Sequence, residues 1–153
     1  MSRPEFVYVT YIETTPENLW EALTSSELSR QYWFGTDVRS DWRVGSPFAL
    51  ITDGKTTDVG EILECDPPRR LSYTFTHVLK DEFRQERPTK VVFAIEAHGK
   101  LVKLTLTHEG FDGTGKLLDA VANGWPAILS GLKSLLETGT ALTIPMSALG
   151  KGR

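Results

Sequence analysis

The side chains with chemistry to offer are three histidines, one cysteine and an unusual set of large rings. Cys65 is the only cysteine, so no internal disulfide and no CxxC metal or redox motif can form. Its surroundings do not mark a nucleophile, and it reads as a small, half-buried hydrophobe. No GxSxG elbow occurs. His77, His98 and His108 are far apart in the chain, and only His77 and His108 have the strand parity that turns a side chain inward. Their spacing does not describe a metal site. Glu61 and Glu64 count onto opposite faces of one strand, so they do not form an acid and base pair and read as surface charges. Gly110 to Lys116 matches GxxxxGK, but Leu117 stands where a phosphate loop needs Ser or Thr to hold magnesium. The preceding strand also reads as antiparallel, so this stretch is a glycine linker entering a helix. No catalytic residue, metal or cofactor is expected from these motifs.

The rings remain. Trp33, Trp42, Phe48, Tyr73, Phe75, Phe93 and Trp125 could fill a core, or several together could line a cavity. With them goes His108, read either as a structurally hydrogen-bonded side chain or as a polar contact in the cavity wall. These eight are the candidate ligand-binding residues. Rings supply contact area, while the Tyr73 hydroxyl and His108 are the polar groups that would orient a small apolar or amphipathic molecule.

Such a set needs elements to bring it together. Phe6 to Ile12 is β-branched and aromatic, as a strand requires. A helix follows, with Thr15 as N-cap, Pro16 at its first position, and Leu19, Trp20 and Leu23 on one face. Thr24-Ser25-Ser26-Glu27 has the spacing of a capping box and predicts a second short helix carrying Leu28, Tyr32 and Trp33 towards Gly35. From Thr36 to Glu109 the pattern becomes about six short alternating runs, broken at Gly45-Ser46-Pro47, Asp53-Gly54, Asp66-Pro67-Pro68 and His98-Gly99. Leu71, Tyr73 and Phe75 share one face, as do Val91, Phe93 and Ile95, and then Val102, Leu104, Leu106 and His108. Lys80 to Pro88 is charged and reads as an exposed connection. Lys116 to Thr138 carries the longest helical signal, with Trp125, Leu129, Leu132 and Leu136 as a continuous stripe. Asn123-Gly124-Trp125-Pro126 is expected to kink or restart that helix, and Gly139 to end it. The sheet's apolar face needs a cover and the helix's stripe needs a floor, so each covers the other. The expected class is α+β: a curved antiparallel sheet of six to seven strands around a long C-terminal helix, with two short helices after the first strand.

Composition sets the outer limits. With 17 basic and 20 acidic side chains in 153 residues and a net charge of −3, there is no basic stripe to gather phosphates, so nucleic acid is not expected as a partner. No apolar stretch reaches the roughly 18 residues of a membrane span. Met1-Ser2-Arg3-Pro4-Glu5 is too polar for a signal peptide, which points to the cytoplasm. The length suits one domain over residues 1–139, followed by a loose tail over 140–153.

Ile12-Glu13-Thr14-Thr15-Pro16-Glu17-Asn18-Leu19-Trp20-Glu21-Ala22-Leu23-Thr24 and Tyr32-Trp33-Phe34 resemble the opening of the family named for the activator of heat-shock protein 90 ATPase, within the START/SRPBCC superfamily. Gly60-Glu61-Ile62-Leu63-Glu64 with Pro67 to Phe75 resembles its central strand pair, Leu104 to Phe111 its last strand, and Gly124-Trp125 with Leu129 and Leu132 its final helix. The resemblance runs from about Tyr8 to Gly139 and implies a helix-grip fold with a deep apolar cavity, as in lipid-transfer and birch-pollen-allergen relatives. It implies a binder of a small apolar or amphipathic molecule. The superfamily's alternatives are a polyketide cyclase or hydratase, with His108 or Tyr73 moving protons, and a chaperone-contacting module; a homodimer is a further expectation. Two departures stand out. Gly45-Ser46-Pro47 replaces the Gly-Gly pair common before the third strand, which alters the cavity entrance, and the cochaperones' separate N-terminal domain has no counterpart in this sequence.

Overall fold

A computed structural model describes residues 5–79, 87–111 and 115–145. Strand β1 (Glu5–Ile12) leads into helices α1 (Pro16–Thr24) and α2 (Ser26–Tyr32). Six strands follow: β2 (Thr36–Ser40), β3 (Pro47–Thr52), β4 (Lys55–Asp66), β5 (Arg70–His77), β6 (Thr89–His98) and β7 (Leu101–Glu109). Helix α3 (Lys116–Thr138) ends the described secondary structure. The strands form one curved antiparallel sheet in the order β1-β7-β6-β5-β4-β3-β2, the expected helix-grip architecture. The expected exposed connection over 80–88 and loose tail over 140–153 fall largely outside the described residues.

Register carries the alternation across the sheet. Ile62 opposes Tyr73, Tyr73 opposes Val91, Val91 opposes His108, and His108 opposes Phe6, so one row of side chains crosses five strands on the concave face. The next row contains Leu71, Phe93, Leu106 and Tyr8. Onto these rows α3 lays Trp125, Ile128, Leu129 and Leu132, all buried. Gly131 lets α2 approach, since a Cβ there would stand 3.3 Å from the Tyr32 carbonyl oxygen. At the β3–β4 hairpin, Asp53 and Gly54 have φ of 52° and 76°, the pair of left-handed residues that a two-residue turn needs.

Three local readings differ. The cap of α2 is Ser25, whose Oγ accepts from Leu28 N, while Thr24 is still the last turn of α1 and donates its hydroxyl to the Trp20 carbonyl at 2.9 Å. Ser25 is extended, so a single residue ends one helix and starts the next. The long helix does not restart at Pro126; it runs unbroken from Lys116 to Thr138, because burial of the stripe on both sides outweighs one missing hydrogen bond. Its C-terminal Gly139 takes φ 87° and donates to the Leu135 carbonyl, as expected. In β4 the register shifts between Ile62, opposite Tyr73, and Glu64, opposite Ser72. Simple parity therefore fails across this bulge, and Glu64 shares the outer face with Ser72 and pairs with Arg70 at 2.8 Å.

The two sheet edges are treated differently. At β2, Ser29 Oγ accepts from Val38 N at 3.1 Å and donates to the Thr36 carbonyl at 2.7 Å, while Ser26 Oγ donates to the Val38 carbonyl at 3.0 Å. Serines of α2 thus occupy the strand's open backbone groups. At β1, Lys133 Nζ caps only the Tyr11 carbonyl, and Val7, Val9 and Tyr11 are each about half exposed. Ser29→Ala is expected to lower unfolding free energy by about 2 kcal/mol, because it strands a buried N–H and carbonyl together, and Ser26→Ala by about 1 kcal/mol. Urea titration of both variants checks this ordering; equal losses would contradict the edge-closing role.

Candidate functional site

All eight candidate residues lie in one chain of ring contacts. Trp42 meets Phe48 edge-on at 6.2 Å between centroids, and Phe48 stacks on Tyr73 at 3.9 Å. Tyr73 contacts Phe93 at 6.1 Å, and Phe93 meets Trp125 at 6.0 Å. Trp125 then contacts Trp33 at 5.3 Å and His108 at 6.1 Å, and His108 meets Phe75 at 5.2 Å. Two further rings join, Tyr32 against Trp33 and Phe111 against His108. Phe111 lies in the loop after β7, where no periodicity announces burial. Tyr32 was legible as a helix-face residue, but its link is a hydroxyl donated across to the Ala22 carbonyl of α1 at 2.7 Å.

His108 is fully buried and its hydrogen bonds have a direction. Trp125 Nε1 lies 3.0 Å from His108 Nδ1, and an indole N–H can only donate. Nδ1 is therefore the acceptor, and the neutral ring carries its hydrogen on Nε2. Nε2 lies 2.6 Å from Thr89 Oγ1, which passes its own hydrogen to the Phe75 carbonyl at 3.0 Å. The relay runs from α3 through β7 and β6 to β5 with every polar atom used once. Both ring nitrogens of His108 are thus held by the protein itself. Burial pushes its pKa down from 6.5 to about 3, so the ring is neutral at pH 7. Thr89 had no sequence signal, being one polar residue at a strand start.

Tyr73 is buried against Phe48, and its hydroxyl is held well above its ordinary pKa, first by burial and then by the charge environment of Tyr32 and Asp58. It stays a neutral hydroxyl. Asp58 and His77 sit beyond it on the same concave face, with His77 Nδ1 2.9 Å from Asp58 Oδ1.

Trp42 is a member of the set that reaches an opening. It lines a groove of about 700 Å³ with Ser26, Arg39, Ser40, Asp41 and Pro47 at the β2–β3 end of the sheet. Its φ of 56° is left-handed, a costly state for a tryptophan. Its N–H donates to Ser40 Oγ at 3.0 Å, and its carbonyl accepts from Cys65 Sγ at 3.1 Å. Burial and the neighbouring Asp66 push the Cys65 thiol up, so it is a packed thiol. Among the described residues, no group of three or more His, Cys, Asp or Glu side chains is placed to hold a metal ion.

Residues 13–137 match the family model described as Activator of Hsp90 ATPase homolog 1-like protein. A solution structure from Cytophaga hutchinsonii is 30% identical, with 91% of this chain and 97% of that one covered and a TM-score of 0.72. An Aha1 dimer from Colwellia psychrerythraea is 19% identical, with 89% and 98% covered and a TM-score of 0.73. An HSP90 activator from Plasmodium falciparum is 22% identical, with 86% and 95% covered and a TM-score of 0.72. No curated protein matches the chain.

The depressed pKa of His108 makes stability depend on pH with a definite sign. The unfolded ring takes a proton near pH 6.5 and the folded one only near pH 3, so stability is full above 6.5 and falls as pH drops towards 3, by about 1.4 kcal/mol per unit. A Gln in its place can accept from Trp125 and donate to Thr89 without titrating. Between pH 6.5 and 5 the wild-type protein is expected to lose about 2 kcal/mol relative to His108→Gln in urea unfolding; parallel pH profiles would contradict the buried neutral relay.

Proposed function

Since the chain belongs to the Activator of Hsp90 ATPase homolog 1-like family and keeps its helix-grip sheet, we propose that it binds a small amphipathic molecule at the groove beside Trp42, in the cytoplasm. The observation that carries this reading is the position of Trp42. It is partly buried, lines the groove and contacts Phe48, the first ring of the interior chain. Arg39, Asp41, Ser40 and Ser26 offer a polar end beside the apolar faces of Trp42 and Pro47. That mixture suits a molecule with one wet and one dry part. Of the eight candidate residues Trp42 is the one in the groove's lining; Phe48 meets it from the interior and stacks on Tyr73, the ring contacts continue inward through Phe93, Trp125, Trp33 and Phe75, and His108 fixes the angle of Trp125.

Native mass spectrometry after incubation with a long-chain fatty acid, a sterol and a flavonoid tests this. One of the three classes is expected to give a one-to-one adduct that disappears on denaturation. Trp42→Ala should weaken it about tenfold, roughly 1.4 kcal/mol, with little change in Tm. A bare protein mass with all three classes would overturn the reading.

The β1 edge favours a second reading, self-association. Lys133 Nζ donates to the outward Tyr11 carbonyl, so Glu5, Val7, Val9 and Tyr11 turn their backbone groups to the open edge, while their exposed side chains stand on the convex face. Antiparallel pairing with a second copy would set these alternate residues against one another and join their apolar face. The Colwellia relative is described as a dimer. Sedimentation should then give a dimer at high protein concentration and a monomer for Val9→Lys; a wild-type monomer would dismiss it.

A further inference from the structure

The hydroxyls lining the groove at Trp42 have their hydrogens already spent. Thr24 Oγ1 donates to the Trp20 carbonyl at 2.9 Å, and Ser26 Oγ to the Val38 carbonyl at 3.0 Å. Ser46 Oγ gives its hydrogen to the Arg43 carbonyl at 2.6 Å, so in its 3.2 Å contact with Ser40 the hydrogen comes from Ser40. A ligand's polar end therefore meets three hydroxyls with no hydrogen to give. Charge is what the lining still offers, in Arg39 and Asp41.

Arg39 is the less committed of two neighbouring guanidinium groups. Its side chain is 62% open, and its ion pair is a single 3.4 Å contact from Nη2 to Asp37 Oδ2. Asp37 belongs first to Arg30, whose Nε holds Oδ1 at 2.5 Å. That bond is the leading cause of the Asp37 carboxyl lying below its ordinary pKa, and Arg39 adds the smallest share. Two cations thus divide one carboxylate unequally, and the Arg39 fork keeps most of its five donors. Among the described residues Asp41 makes no ion pair, with Arg39 or any other group. Arg43, exposed just past Trp42, leaves the segment from 39 to 43 with two guanidinium groups around one aspartate.

We propose that the wet part of the amphiphile held at this groove is a carboxylate, bound fork to fork by Arg39 while Trp42 and Pro47 cover the start of its apolar body. The proposal rests on the groove reading above and names the charge class of its ligand, an organic acid. A planar carboxylate brings two acceptors to a planar pair of N–H donors, which a neutral or cationic head cannot do. Asp41 is a like charge in the same lining and holds the affinity down. No bond is made or broken.

The probes are decanoate, methyl decanoate and decylamine, which share an aliphatic chain and differ in head charge. Calorimetric titration at neutral pH and low salt is expected to show the wild-type protein binding decanoate about fivefold more tightly than the ester, and decylamine no more tightly than the ester. Arg39→Gln should shrink the acid-over-ester preference below about twofold with ester affinity retained, whereas Asp41→Asn should enlarge it about twofold. Arg69→Gln, at an exposed arginine paired with Asp66 outside the groove lining, should leave the preference unchanged. Equal wild-type affinities for acid and ester, a preference that survives Arg39→Gln, or tighter binding of decylamine than of decanoate would each overturn the carboxylate assignment. Failure of decanoate to bind would overturn it too, and a sterol or flavonoid adduct in the mass-spectrometric panel would then keep the groove reading.

Discussion

A single imidazole ring fixes how the long helix sits in the sheet. Apolar packing alone tolerates sliding, because one buried methylene resembles another, but a buried polar atom does not tolerate losing its partner. The Trp125 indole N–H must find His108 Nδ1, His108 Nε2–H must find Thr89, and Thr89 must find the Phe75 carbonyl. Shifting α3 by one turn would strand at least two of these groups in a dry interior. The relay thus sets the register of helix against sheet, and the rings around Trp125 take their angles from it. Protonation would replace the Nδ1 acceptor with a second donor facing the indole, which is why the neutral state and the geometry require each other.

Much of the architecture could be read from alternation. Leu71, Tyr73 and Phe75 in one run and Val102, Leu104, Leu106 and His108 in another leave only one face for the core, and antiparallel register aligns those faces. The same logic brought eight candidate side chains from five elements and two loops into one contact chain. It could not reveal which nitrogen of His108 accepts, because that depends on an indole donated from α3. Nor could it find Thr89, Phe111 or the partner of His77, whose roles exist only once distant segments meet. The β4 bulge defeated parity outright, since one inserted residue turns the rest of the strand over. At Ser25 the error was a single residue, and its cause was local: two helices share one capping position, and the extended backbone there decides which hydroxyl serves.

The sheet's two borders show what determines whether an edge is available. Both end strands carry outward backbone groups, and hydroxyls close one of them because α2 crosses within reach of β2. Helix α3 instead passes β1 only near its end, where Lys133 and Glu137 cap the Tyr11 carbonyl and the Glu13 N–H. Burial of α3 against the concave rows draws it away from the rest of β1. The open backbone edge of β1 is therefore a geometric consequence of how the helix is gripped, and Val7 and Val9 are half-exposed because they stand on the convex face away from it.

Polar groups inside the grip are divided by what satisfies them. On the β7 side the relay leaves no lone pair to spare, and a ligand could reach His108 only by displacing a neighbour at the cost of an unpaired buried group. Towards β3 and β4 the hydrogen bonds are local, from Thr57 to its neighbour Asp58 and from His77 across one strand pair, and the rings give way to a groove at Trp42. Stability and recognition make opposite demands on a buried polar atom, one requiring it saturated and the other requiring it to have capacity left. With the saturated groups under the helix and the groove at the sheet's far end, the two demands fall on separate regions of one fold. The strained backbone of Trp42, held by Ser40 and Cys65, lies at the boundary between the two regions.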